Sequence, residues 1–168
     1  MNTITSFYEK QLKAEADITR KILKIVPDDQ YNWKPHQKSM SIRQLATHIA
    51  ELPSWIPLGI NTEVLDFAAG DYQPTPIDNN KELLKTFEDN QKQALESLSK
   101  TNDEFLQNPW TMRNGEEIYI TISKEEVIRM AISQTIHHRA QMGVFLRLLN
   151  IPIPGSYGPS ADEMGFQA

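Results

Sequence analysis

The sequence predicts an all-α protein built as a four-helix up-down-type bundle, and three observations carry that prediction. Four segments repeat apolar residues every three or four positions, the spacing that gives a helix one buried face. Stretches rich in Pro, Gly and Asp separate them, including a long crossover between the second and third helices. Only one stretch, residues 108–122, alternates in the manner of strands, which predicts a small two-stranded hairpin before the last helix.

The first helix covers about residues 2–26, with Ile4, Phe7, Ala14, Ile18, Ile22 and Ile25 as its apolar stripe, and Pro27 ends it. Residues 27–40 form a connector whose large aromatics, Tyr31 and Trp33, are suited to plugging one end of a core. Ser41 is placed to cap the second helix, which buries Ile42, Leu45, Ala46 and Ile49 and ends or kinks at Pro53 and Pro57. The crossover, residues 59–78, has room for one short helix over 63–69.

The third helix runs from about 79 to 100. Asn79 and Glu82 have the spacing of a capping box, followed by Leu84, Phe87, Ala94, Leu95 and Leu98. Asn114-Gly115 is a hairpin-turn signal between Trp110–Met112 and the alternating Ile118, Ile120 and Ile122. Ser123 with Glu126 is a second capping box and opens a helix over about 124–149. That helix is apolar almost all round, so it is expected at the centre of the bundle. The remainder, from Ile151, holds three prolines and is expected to be loop-like. Residues 1–168 are read as one domain without internal repeats, long enough to bury a core unaided.

Composition narrows the function. Lys and Arg total 17 against 22 Asp and Glu, a net charge of -5, which argues against a broad nucleic-acid or anionic-membrane footprint. The basic residues Lys10, Lys13, Arg20, Lys21 and Lys24 read as a solvated helix face. With no cysteine, disulfides, thiolate nucleophiles and zinc fingers are excluded. No apolar run approaches the roughly 20 residues that span a bilayer, and the first residues lack a secretory pattern, so the expected compartment is the cytoplasm.

Four histidines carry the remaining chemistry. His48 lies three residues after Leu45 at the edge of an apolar face. His138 lies on the last helix one turn after Gln134, so those two side chains share a face. An imidazole from one helix and an i, i+4 pair from another would place three donors on one side of an ion and leave open positions, the layout of a catalytic site. Two imidazoles favour Zn or Ni over Mg or Ca. Spacing alone equally allows ordinary polar residues at a helix boundary. Glu51 is a candidate base or a partner to the ligands, or else a solvated helix carboxylate. His137 is about 100° round the helix from His138 and reads as a packing or supporting residue. His36, in a loop, reads as exposed. No nucleophile elbow or phosphate-binding glycine loop is present.

Trp33-Lys34-Pro35-His36, then Ser41-Ile42-Arg43-Gln44-Leu45-Ala46-Thr47-His48-Ile49-Ala50-Glu51, resemble the DinB/YfiT-like superfamily of metalloenzymes. So do His137-His138-Arg139-Ala140-Gln141 and the tail from Pro152 to Ser160. The resemblance spans nearly the whole chain. It implies a four-helix bundle, commonly a homodimer, holding a Zn- or Ni-type ion through three side chains that fall on His48, Gln134 and His138. Gln134 departs from the pattern, where His or Glu is usual, and a neutral amide is the poorer zinc donor. Arg139 and Gln141 match the motif, with structural hydrogen bonding as their expected role.

Two functions follow from the resemblance. One is a metal-dependent enzyme, a thiol-dependent transferase or isomerase or a hydrolase, acting on a small electrophile with a low-molecular-weight thiol as cosubstrate. The other is a non-catalytic helical dimer that binds a small ligand or a stress-related partner through a degenerate metal pocket. DNA binding is disfavoured by the acidic balance.

Overall fold

A buried helix end needs partners for its unpaired backbone groups, and here those partners come from distant segments. In the computed structural model, which describes residues 3–70 and 74–165, α1 spans Thr3–Leu23. The Asp103 carboxylate accepts from the backbone N–H of Thr3, Ile4 and Thr5 at 2.7, 3.1 and 3.0 Å and so caps the start of α1. At its other end the Asn80 amide donates to the carbonyls of Leu23 and Val26. The predicted start of this helix at residue 2 lies outside the described residues.

The bundle is completed by α2 (Ile42–Glu51), the short α3 (Trp55–Asn61), α4 (Asn80–Ser99) and α5 (Lys124–Leu148). Ser41 caps α2 in a full capping box with Gln44, and Ser123 does the same for α5 with Glu126. At α4, Asn79 accepts from the Glu82 N–H, but the Glu82 carboxylate turns to the Asp78 N–H, so only half of that predicted box forms. Pro53 lies in a single 3-10 turn, Leu52–Ser54, and α3 follows it directly.

Both α1 and α2 pack against α4 and α5, so the ring order is α1, α4, α2, α5. The Asp103 and Asn80 contacts set α4 antiparallel to α1. Contacts of Tyr8 with Glu125 and of Glu15 with Arg139 set α5 parallel to α1. The meeting of His48 with His138, and of Gly59 with Val127, sets α2 and α3 antiparallel to α5. The directions are therefore up, down, down, up, an order that departs from strict alternation at the long crossover expected between the second and third helices. Two successive helices running the same way require a return along the bundle. The described parts of the long crossover, residues 62–70 and 74–79, lie between them.

The strand content also exceeds the expected hairpin. β1 (Val64–Asp66), β2 (Pro109–Asn114) and β3 (Glu117–Ser123) form one sheet in that order, β1 parallel to β2 and β2 antiparallel to β3. The residues expected to make a short helix over 63–69 instead contribute β1 and one 3-10 turn, because Leu65 pairs with Met112 and is buried with Trp110 and Val127. Gly115 turns the hairpin with φ 60°, a left-handed conformation that suits glycine.

The core divides into a cluster at the 31–45 end (Leu23, Tyr31, Ile42, Leu45, Phe87, Met142), one at the opposite end (Leu12, Ile56, Ala94, Leu98, Ile128) and one under the sheet. Tyr31 is buried and Trp33 packs on Phe145, as the connector aromatics predicted. The stripe read for α1 is displaced: Phe7 and Ala14 are exposed, while Tyr8, Leu12, Glu15, Ala16, Thr19 and Leu23 face inward. Nor is α5 enclosed on all sides, since Val144 and Leu148 are 59% and 57% exposed. The chain after α5 carries no helix or strand through residue 165, as expected, and its end lies outside the described residues.

Candidate metal centre

The phase of each helix decides where its histidine points. With Leu45 and Ile49 in the core, His48 falls at the edge of α2 that faces α5. On α5, Thr135, Arg139 and Met142 face inward, and His138 sits about 100° round from Arg139, toward α2. The two imidazoles meet edge to face, with ring centres 4.6 Å apart and planes 77° apart, and both are half-buried. His137, exposed, sets its ring 4.9 Å from that of His138.

Electrostatics favours the neutral form of His48, and a hydrogen bond orients the ring of His138. Burial pushes the His48 imidazolium to a lower pKa, repulsion from His138 adds to this, and Glu51 partly opposes it. His138 Nδ1 lies 2.8 Å from the Gln141 amide oxygen. That oxygen accepts from the Nδ1–H tautomer, the form of the ring whose Nε2 lone pair faces a ligand. Gln141 thus takes the hydrogen-bonding role expected of it, with His138 as the partner that the sequence reading does not name. Its i, i+3 spacing from His138 was the available signal.

The other candidates are placed less uniformly. Glu51 is buried, 5% exposed, rather than a solvated helix carboxylate, and accepts from the Thr75 backbone N–H at 2.6 Å. This ties the returning crossover to α2. Gln134 is exposed on α5, and among the described residues its side chain joins no hydrogen bond. His36 is exposed, as expected. Arg139 is in a buried network: Nη1 donates to Glu15 Oε2 at 2.7 Å, and Nη2 donates to the Tyr157 hydroxyl at 2.8 Å. The basic residues Lys10, Lys13, Lys21 and Lys24 are exposed, as a solvated face requires.

The donors fit a late first-row ion in part. Two imidazoles sharing one ion at about 2.1 Å bring their ring centres to roughly 5 Å, close to the spacing found. Among the described residues, however, no group of three or more His, Cys, Asp or Glu side chains is placed to hold a metal. A third protein ligand therefore has to be Gln134 or be lacking. Beside His48, between α2 and residues 74–78, lies a cavity of about 450 Å3 walled by Met40, Pro74 and Ile77, with Gln44, Thr47 and Glu51 at its polar side. A larger one, about 650 Å3, opens near Phe105 at the opposite end of the bundle, away from the histidines. The smaller is the one that bears on this site.

Comparison with known proteins agrees with the architecture. The profile of the DinB family matches residues 1–165. The protein YrdA of Bacillus subtilis, itself uncharacterised, is 25% identical over 162 residues, covering 92% of this chain and 88% of that protein. Among solved structures, the DinB-like YjoA of B. subtilis superposes with a TM-score of 0.68 at 18% identity, covering 89% of this chain and 96% of that one. YfiT of B. subtilis, described as a probable metal-dependent hydrolase with an unusual four-helix bundle topology, gives 0.65 at 14% identity over 88% and 89%. A mycothiol-dependent maleylpyruvate isomerase gives 0.60 at 12% identity over 85% of this chain and 64% of its own. At these identities the structural likeness establishes the fold.

Proposed function

The chain belongs to the DinB family, and on that premise we propose that it is a metal-dependent enzyme acting on a small molecule, with His48 and His138 as the paired ligands. The observation that carries this reading is the approach of two imidazoles from different helices, His138 already oriented by Gln141. Gln134 is the third ligand in this reading. A Zn- or Ni-type ion held there supplies Lewis acidity toward a small electrophile or a low-molecular-weight thiol.

The chain's own residues do the rest. His48, kept neutral by burial, offers a lone pair near neutral pH. Gln141 fixes the tautomer of His138. The cavity beside His48 offers apolar walls for the body of a small substrate, and of the two carboxylates lining it Glu51 is the buried one, while Asp78 is exposed and paired with Arg43. The descriptions of YfiT and of the mycothiol-dependent isomerase support a hydrolase or a thiol-dependent transferase or isomerase as the reaction class.

A second reading has one specific observation in its favour: Gln134 is neutral and exposed, and no three-residue cluster of stronger donors is present among the described residues. In that reading the protein is a non-catalytic ligand-binding module. Elemental analysis of protein incubated with Zn2+ or Ni2+ and desalted separates the two. Near-stoichiometric metal that is lost in both His48→Ala and His138→Ala supports the enzyme; metal-free wild type supports the module. A homodimer and a cytoplasmic location belong to the proposal as well, and sedimentation equilibrium of the purified chain tests the former.

A further inference from the structure

The opposite flank of α5 carries a second feature that the metal reading does not use. His138 faces α2, whereas Arg139 faces α1, and over that flank the chain after α5 folds back across the bundle. Two carboxylates hold it there. Asp162 pairs with Arg147 and accepts from the Ile153 N–H, and Glu163 accepts from the N–H groups of Gly155 and Ser160. Between this segment and α5 lies a cavity of about 380 Å3.

Its walls are aliphatic: Ile22, Ile136, Val144, Leu148, Ile153 and Pro154. Gly143 is buried, yet a Cβ added to it meets nothing within 4 Å, so the helix surface borders a void there rather than a neighbour. Two guanidinium groups, Arg139 and Arg147, line the cavity, and none of its lining residues is acidic. Arg139 is itself 4% exposed. Its Nη1 is committed to Glu15 and Thr19, while Nη2 contacts the Tyr157 hydroxyl, which also lines the space. Arg147 engages Asp162 through Nη1 and Nη2, which leaves its Nε–H for a ligand.

We propose that this cavity is a binding site for a small aliphatic monocarboxylate of about six to ten carbons, the small end of the range that ligand pockets accommodate. The chain of the ligand lies against Ile22, Ile136 and the open face of Gly143. Its carboxylate is received by the Arg147 Nε–H and the Arg139 guanidinium, while the Tyr157 hydroxyl, whose proton goes to Glu15, closes the wall beside it. The aliphatic wall suits an alkyl body, and the Arg147 Nε–H, left outside its pair with Asp162, favours an anionic head. This inference is independent of the metal centre.

The test uses the full chain with sodium hexanoate, sodium octanoate and 1-octanol as probes, followed through the backbone amides of Ala140, Gly143 and Ile153 in 1H–15N spectra. Each buried methylene strengthens binding by about four-fold, so octanoate, two methylenes longer, is expected to bind ~15-fold more tightly than hexanoate. Octanol, with the same chain and no charge, is expected to bind at least ~10-fold more weakly than octanoate. Gly143→Leu fills the void and abolishes octanoate binding. Val144→Glu, at an exposed rim position that does not threaten folding, repels octanoate and leaves octanol nearly unchanged. Absence of saturable shifts at these amides overturns the proposal. So does octanol binding as tightly as octanoate, or octanoate binding undiminished in Val144→Glu or in a folded Gly143→Leu.

Discussion

Replacing Arg139 by Met removes the guanidinium from the centre of the bundle while keeping most of the side chain's apolar volume. Arg139 and Glu15 are each 4% exposed in their side chains and 2.7 Å apart. The change deletes donors to Glu15 Oε2, to the Glu15 carbonyl, to Thr19 Oγ1 and to the Tyr157 hydroxyl. What remains is a buried carboxylate bonded to Gln11 and Tyr157 but without its cation. Breaking a buried pair by removing one partner costs about 3–5 kcal/mol, because the charge left behind is uncompensated. For a chain of this length that is a large share of a total stability on the order of 10 kcal/mol, and it lowers Tm by roughly 10 °C. Urea denaturation followed by circular dichroism at pH 7 reads the loss directly. The double variant Glu15→Leu, Arg139→Met removes both charges and is expected to be more stable than Arg139→Met alone, a strongly non-additive result. A cost under about 1 kcal/mol for Arg139→Met, or simple additivity in the double variant, refutes the reasoning.

Three further outcomes follow from the same structure. A Cβ at Gly59 would lie 2.6 Å from Val127 Cγ1 and 3.0 Å from its Cβ, and Val127 is fully buried, so Gly59→Ala is expected to cost about 1–3 kcal/mol in urea denaturation despite the better helix former; Val127→Ala in the same chain should recover part of it. Gln141→Leu removes the acceptor that holds His138 Nδ1–H, so 15N NMR of the metal-free protein should show His138 losing its single tautomer, and Zn2+ or Ni2+ affinity should fall about 10–100-fold; an unchanged tautomer contradicts the assignment. The Arg147 guanidinium, and then the Ile153 N–H, hold the Asp162 carboxyl down at about 2 from its ordinary 3.8. Its depressed pKa makes the contribution complete above the ordinary carboxylate range and lost as pH falls toward about 2, so the Ile153 amide should lose exchange protection between about pH 4 and 2, and Asp162→Asn should remove that dependence.

The helices were legible because their signals are local. Ser41 and Ser123 mark starts that chemistry within a few residues enforces, and Ile42, Leu45 and Ile49 fall inward by period alone, whereas α1 stops at Leu23, short of the end expected at Pro27. Relationships between distant residues were not. Nothing near Val64 announces that it will pair with Thr111, so local pattern alone leaves room for a short helix where β1 forms. The α1 stripe was displaced because Glu15 and Thr19 are inward-facing polar residues, acceptable only with Arg139 opposite them. The same holds at the metal centre. Helical phase brought out His48 and His138, but the burial of Glu51 depends on Thr75 from the returning crossover. Exposure of Val144 and Leu148 reflects a flank of α5 that no other helix covers.

The paired imidazoles are the claim on which the functional account depends, and a metal-edge anomalous difference map from a crystal soaked in Zn2+ or Ni2+ tests it most directly. The account predicts one strong peak about 2.0–2.2 Å from Nε2 of His138 and from a ring nitrogen of His48. A peak elsewhere, or no peak at these rings at full soak, contradicts it.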